Sequence, residues 1–287
     1  MNPAPPNPVL PVVDFSSPDA PQAFCESLHR TGFAVLKNHP LSSDLVHGIY
    51  AEWLAFFQSG DAKKYAWDPE KLDGHFSTAI SETAKGSEAK DLKEFFHLFP
   101  WGRYPKEVSD AARRYYSLGK DLAATLLKWV EDNSPPEIRS RYSIPLASMI
   151  DDCEETLLRV LHYPPLNSVQ QPGSIRAAAH TDINLLTILP AATEPGLQVM
   201  GTDGIWIDAP SDFGLLIVNI GDMLEEASGK YYPSTMHRVL NPVGEGAKKS
   251  RVSLPLFLHP RREIKLSDRY TVGSYFEERM QELRRKG

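Results

Sequence analysis

Two histidines, an aspartate, an arginine and a serine carry most of the chemistry legible in this chain. His180 and Asp182 stand two residues apart in "RAAAHTDINLLTILP", residues 176–190. In extended backbone such residues project to one face, so an imidazole and a carboxylate can converge on one ion. His237, in "STMHRVLNP", can supply a third ligand from across the fold. Two imidazoles and a carboxylate leave about three positions of a metal open, the pattern that suits non-haem Fe(II) oxygenases. Zinc hydrolases use the same donor types, but the HExxH helix is lacking here. An isolated HxD is more often a polar turn before a core strand, so spacing alone leaves both readings open. The remaining histidines (His29, His39, His47, His75, His97, His162 and His259) have no partner at ligand spacing.

Arg251 and Ser253 are also two apart, in "RVSLPLFLHP". On a strand they share a face, where a guanidinium and a hydroxyl can grip one carboxylate together. Tyr163, in "LHYPP", can offer its phenol to the same anion or can be a packed strand end. A dicarboxylate cosubstrate would bridge the two sites, chelating the metal at its keto-acid end and meeting Arg251 and Ser253 at the other.

These residues need a scaffold. Past about residue 155 the chain breaks into short β-rich runs such as "TLLRVLHYPP", "GLQVM", "GIWIDAP" and "GLLIVNI", separated by Gly, Pro, Asn and Asp. They predict a sandwich or barrel. Before them, Ser and Asp caps open a helix that Gly32 can end, followed by a strand at "FAVLKNH". A second helix brings Val46, Ile49, Tyr50, Trp53 and Phe57 to one side, and a third spans roughly 109–133 with Tyr115, Leu118, Leu122, Leu126 and Trp129 or Val130 inward. Residues 61–105 mix turn formers with aromatics and predict long functional loops, and "SYFEERMQELRRKG" predicts a C-terminal helix. The first ten residues, with four prolines, predict an extended lead-in. The helical part, about 1–135, is expected to pack on a β core at about 155–262 within one domain of 287 residues.

The formal charge of −6 argues against a nucleic-acid partner, since phosphate binding needs a basic surface. No apolar run approaches the length of a membrane span. Two distant cysteines, Cys25 and Cys153, make no disulfide framework and fit a reducing cytoplasm. A small-molecule partner remains.

The ordered stretches "LPVVDF", "GFAVLKNH", "LLRVLHYPP", "HTDINLLTILPAATEPGLQV", "VNIGDMLEEASGKYYPSTMHRVLNP" and "RVSLPLFLHP" resemble the isopenicillin N synthase-like branch of the Fe(II)/2-oxoglutarate-dependent dioxygenases over almost the whole chain. The resemblance implies a mainly β fold with flanking helices, the double-stranded β-helix or jelly roll. It implies Fe(II) on His180, Asp182 and His237, and 2-oxoglutarate on Arg251, Ser253 and Tyr163. The implied reaction consumes O2 and couples decarboxylation of 2-oxoglutarate, to succinate and CO2, to oxidation of a small molecule, usually hydroxylation. Two departures stand out. Leu161 occupies a position where many members have an asparagine that reaches the cosubstrate, and the stretch after His237 is long, with Gly244 and Gly246 suggesting an extended hairpin turn.

The substrate is read less directly. Counting by two from His180 through Ala178 puts Arg176 on the metal face of a regular strand, where it can bind an acidic substrate. Phe95, His97, Asn184, Met223 and Tyr231 are further pocket candidates. The alternatives are an iron oxidase that dispenses with 2-oxoglutarate, like isopenicillin N synthase or aminocyclopropane carboxylate oxidase, and a non-catalytic metal-binding module.

Overall fold

A computed structural model describes residues 10–80, 91–166 and 175–284. Most of the proline-rich lead-in, the stretch 81–90 and the basic end at 285–287 lie outside the described residues. The N-terminal part alternates strand and helix: β1 (Val12–Asp14), α1 (Ala20–Thr31), β2 (Phe33–Lys37) and α2 (Ser43–Ser59). Two short strands, β3 (Gly74–Phe76) and β4 (Glu94–Leu98), precede the long α3 (Ala111–Asn133) and the single turns α4 (Pro136–Arg139) and α5 (Leu146–Met149). The β-rich part holds β5 (Leu157–Tyr163), β6 (Ala177–His180), β7 (Leu186–Pro190), β8 (Leu197–Met200), β9 (Trp206–Asp208) and β10 (Leu216–Ile220). It closes with α6 (Asp222–Ala227), β11 (His237–Val239), β12 (Arg251–Ser253), β13 (Leu256–Leu258) and α7 (Val272–Arg284).

Helix ends follow local chemistry. The Ser42 side chain accepts from the Leu45 N–H to cap α2, and Gly60, at φ 81°, ends it. Gly32 ends α1 at φ 71°, and a side chain there would collide with the Pro233 carbonyl and Thr235. This close approach seats the segment leading into β11 against the end of α1. The caps expected for α1 are not used: Asp19 makes no side-chain cap bond, and Pro21 in the first turn starts the helix instead.

Strands β1, β2, β10, β7, β13, β5, β4 and β3 form the larger sheet in that order, with β12 also on β5, and β6, β11, β8 and β9 form a smaller one. Residue alternation assigns the two faces of the larger sheet. Ala34, Leu36, Phe96, Val160, Ile188, Leu216, Val218, Val252 and Leu256 join the helix side chains Phe24, Leu28, Trp53 and Leu126 in the main core. Their strand neighbours Phe33, Val35 and Ile217 meet Ala177, Leu197, Val199, Ile207 and Val239 of the smaller sheet. The result is a layer of helices, a large sheet and a small sheet, the jelly roll with flanking helices. Because strand period is two, the same alternation turns Phe95, Tyr163, Thr187, Asn219, Arg251 and Ser253 to the inter-sheet side.

Three expectations are corrected. Part of the irregular stretch 61–105 is not loop but β3 and β4, which extend the large sheet beyond β5. Leu118 is exposed, leaving Tyr115, Leu122, Leu126 and Val130 as the buried stripe of α3. The expected hairpin turn at Gly244 and Gly246 is a 3-10 turn, Gly244–Lys248.

On the helix side of β4 and β5, Glu94 receives hydrogen bonds from His75 Nε2 (2.7 Å) and His162 Nδ1 (2.8 Å), and His162 Nε2 meets Ser250 Oγ at 3.0 Å. Burial pushes the Glu94 carboxyl up, but the hydrogen bonds from His162 and His75 outweigh it and bring it down to about 2. A carboxyl depressed on folding adds stability that is full above its unfolded value, 4.5, and is lost as pH falls through about 2. Glu94→Gln is therefore expected to lower stability at pH 7 by up to roughly 3 kcal/mol. Its deficit against the parent should shrink between pH 4.5 and about 2, as checked by urea unfolding across that range. A deficit independent of pH would contradict the ionised pairing.

Candidate metal centre and cosubstrate site

His180 ends β6 and His237 begins β11, and the two are direct cross-strand partners on the small sheet, with ring centroids 4.3 Å apart. Asp182 lies just past β6, in the turn and not on the strand. It reaches the pair because its Oδ2 is tied back to the large sheet, accepting from Thr187 Oγ1 (2.6 Å) and Asn219 Nδ2 (2.8 Å). Its other oxygen, Oδ1, faces His237 Nε2 at 3.7 Å and His180 Nε2 at 4.0 Å. The three ligand atoms lie within 4.8 Å of one another.

Each imidazole is oriented by its far nitrogen. Nδ1 of His180 meets the Ala178 carbonyl at 2.8 Å and Nδ1 of His237 meets the Thr235 carbonyl at 3.2 Å. A carbonyl only accepts, so both Nδ1 atoms carry the proton and both Nε2 lone pairs point at the shared space. Burial pushes the Asp182 carboxyl up, yet the imidazoles of His237 and His180 and the hydrogen bonds from Asn219 and Thr187 hold it below its ordinary value. Desolvation, then the neighbouring His237, lowers the His180 imidazole, even though 42% of its side chain remains open to solvent. An ionised carboxylate and neutral imidazoles are the forms that bind a divalent metal. Donor chemistry, spacing and tautomers fit Fe(II).

The second site lies where β12 pairs with β5, with Arg251 opposite Tyr163 and Ser253 opposite Leu161. Arg251 is buried, donates from Nε to the Glu194 carbonyl at 2.9 Å and leaves Nη1 with no partner among the described residues. Its guanidinium carbon stands 5.0 Å from the centre of the Tyr163 ring. A buried guanidinium satisfied only in part, by the Glu194 carbonyl and the Tyr163 hydroxyl, calls for an anion, and the orphaned Nη1 fits the distal carboxylate of 2-oxoglutarate. Leu161 packs with Phe95, Tyr163 and Phe76 in an apolar cluster.

The substrate candidates divide. Phe95 stacks on Phe76 at 4.6 Å beside the His97 ring, whose Nε2 accepts from Arg159 Nε at 2.9 Å. These line the inter-sheet side. Asn184 does not: it is buried, with Nδ2 committed to the Leu186 carbonyl and Thr187 Oγ1, so it braces the partner of Asp182. Met223 sits in the main core, and Tyr231 stacks on His29 of α1 at 4.0 Å. Arg176 is wholly buried as expected of an inward residue, but the counting that placed it fails. The β6 register against β11 shifts between His180 and Ala177, and the guanidinium lies by Tyr163 and Arg251.

Spacing does not single out Thr187 and Asn219, because a hydroxyl and an amide inside the apolar runs "LTIL" and "VNIGD" read as strand. The signal was their odd polarity. Gly221 in the latter motif is similarly explained, since a side chain there would strike the Asn184 backbone. The buried pair Lys93–Asp91, 2.9 Å apart, likewise has no signature in the spacing of its residues. Asp91 braces β6 by accepting from the Ala178 N–H at 3.1 Å.

Fold and site together define a non-haem iron oxygenase of the jelly-roll type. The model of the 2OG-Fe(II) oxygenase superfamily matches residues 154–260, and the N-terminal model of non-haem dioxygenases in morphine synthesis matches residues 10–123. A solved Shewanella oneidensis protein assigned as an oxygenase is 50% identical, with a TM-score of 0.88 over 96% of this chain and 99% of that one. A Caulobacter crescentus protein assigned to the 2OG-Fe(II) oxygenase family is 30% identical, with a TM-score of 0.79 over 96% and 99%. Among curated relatives, the gibberellin 2-beta-dioxygenase of Phaseolus coccineus is 26% identical over 88% of this chain and 76% of its own. The flavonol synthase/flavanone 3-hydroxylase of Arabidopsis thaliana is 26% identical over 90% and 78%. The chain belongs to the 2OG-Fe(II) oxygenase superfamily: it is an Fe(II)- and 2-oxoglutarate-dependent oxidoreductase. Among the described residues, no helix is long and apolar enough to cross a membrane.

Proposed function

We propose that this chain is a single-domain oxygenase of the isopenicillin N synthase-like branch that hydroxylates a small organic molecule. The observation that carries this reading is the pairing of a preformed His-Asp-His cluster with a buried guanidinium whose Nη1 has no partner among the described residues. When bound, Fe(II) supplies oxygen activation coupled to decarboxylation of 2-oxoglutarate to succinate and CO2. The chain's part is to place the reactants. His180, Asp182 and His237 would hold the metal through Nε2, Oδ1 and Nε2, a three-donor set of the kind that non-haem iron oxygenases use. Thr187 and Asn219 hold Oδ2 of Asp182 so that Oδ1 stays aimed at the ion. Arg251, Ser253 and Tyr163 take the distal carboxylate and so fix which way the keto-acid end points. Phe76, Phe95 and Leu161 cluster with Tyr163 on the side of the large sheet that carries Arg251, an apolar surface that would favour an organic substrate. The curated relatives' names denote small molecules, which supports the same substrate class.

The test is anaerobic titration of the Fe(II)-loaded protein with 2-oxoglutarate, followed by the absorbance of the metal chelate, then a metabolite screen for stimulated succinate release. One equivalent of chelate and a substrate that raises succinate output are expected. Oxidation of a substrate without any 2-oxoglutarate requirement would instead favour the cosubstrate-free oxidase.

A further inference from the structure

Arg251 is not the only buried cation near Tyr163. Arg176 has no exposed surface, and its guanidinium carbon lies 5.8 Å from the centre of the same Tyr163 ring that Arg251 approaches to 5.0 Å. Its Nη2 donates to the Lys249 carbonyl at 3.0 Å. Nε and Nη1 of Arg176 and Nη1 of Arg251 are buried without a partner among the described residues. The carboxylate placed to oppose both is Glu194, which is engaged by Lys249 Nζ at 3.3 Å. Two guanidiniums thus share one buried neighbourhood in which, among the described residues, neither forms an ion pair of its own. Burial and then the like charge of Arg251 bring Arg176 down to about 10, so it is still a cation at neutral pH.

We infer that Arg176 is a second arm for the distal carboxylate of 2-oxoglutarate, so that this chain grips that group with two guanidiniums and not with Arg251 alone. The inference rests on the function proposed above and extends it. An acidic substrate entering from the open side would meet His180, whose side chain is 42% exposed. Arg176 lies instead on the deep side, with Arg251 and Tyr163. A carboxylate offers about four lone-pair sites, enough for the three orphaned donors and one hydroxyl, from Ser253 or Tyr163. Such a site discriminates for a distal carboxylate, because a cosubstrate lacking it leaves two buried cations unneutralised.

The test uses Arg176→Met, which keeps the apolar stem, and Arg176→Lys, which keeps the charge. Each Ni(II)-loaded protein is titrated calorimetrically with 2-oxoglutarate and with 2-oxobutyrate, which shares the keto-acid end but ends in a methyl group. Thermal unfolding is recorded with and without 2-oxoglutarate. Arg176→Met is expected to weaken 2-oxoglutarate binding about tenfold or more, to change 2-oxobutyrate binding less than about twofold, and to be partly rescued in Arg176→Lys. Without ligand, Arg176→Met should melt no lower than the parent, since it removes an unneutralised charge, and 2-oxoglutarate should raise its melting temperature less. Unchanged 2-oxoglutarate affinity, or equal weakening of both keto acids with a lowered ligand-free melting temperature, overturns the inference. A parent protein that binds no 2-oxoglutarate overturns the proposed function itself, and the second arm with it.

Discussion

His237→Ala is expected to abolish Fe(II) binding and turnover while leaving the fold in place. The loss should exceed the roughly 10- to 100-fold that follows from removing only a ligand's hydrogen-bond partner, because a donor itself disappears. Structural damage should be modest. The ring packs edge-on to Phe33 at 5.5 Å and against His180, and its one hydrogen bond is to the Thr235 carbonyl, so alanine strands no buried donor. Asp182→Ala is the less informative variant. It would leave Thr187 Oγ1 and Asn219 Nδ2 buried without their carboxylate, at a cost of about 1 to 3 kcal/mol for each group, and confuse metal loss with unfolding. Metal content and far-ultraviolet circular dichroism of His237→Ala check the expectation together. Retained Fe(II) with retained turnover would remove His237 from the ligand set.

What could be read from the residues and what could not divides along physical lines. The strand runs were legible because alternation is local: in "LLIVNI" the apolar Leu216, Val218 and Ile220 enter the main core while Ile217 and Asn219 turn to the other face. The pairing of His180 with His237 was legible only as a possibility, since their adjacency depends on the register of β6 against β11. Arg176 shows the limit of counting. A register shift of the kind found in β6 redirects side chains, and residue 176 reaches the interior for a reason that period two did not supply. Asn184, Met223 and Tyr231 lie near the motif residues in sequence, but packing sends Met223 to the core and Tyr231 to α1. Strands β3 and β4 are not legible because each is short, and β3 joins the sheet only through β4, which is itself held by β5. That pairing is tertiary information absent from their own residues.

Arg251→Leu is expected to raise the 2-oxoglutarate requirement by about 10- to 100-fold, the equivalent of losing one charge-assisted pair worth about 1.5 to 3 kcal/mol. Two features make the result interpretable. Leucine removes the hydrogen bond to the Glu194 carbonyl, but Val252 and Leu254, which anchor the strand in the main core, are untouched, so β12 should stay paired with β5. The chelating end of the cosubstrate is also expected to be untouched, because the proposed ligands lie on β6, on the segment just after it and on β11. The signature is therefore a raised requirement with metal content unchanged, and a maximum rate at saturating 2-oxoglutarate that falls less than the affinity. Arg251→Lys should recover only part of the loss, since a point charge cannot reproduce the guanidinium's paired donors. Steady-state succinate formation as a function of 2-oxoglutarate, measured in both variants, separates these outcomes. If Arg176 shares the carboxylate, Arg251→Leu should keep a measurable preference for 2-oxoglutarate over 2-oxobutyrate, and that preference should disappear only when both arginines are replaced.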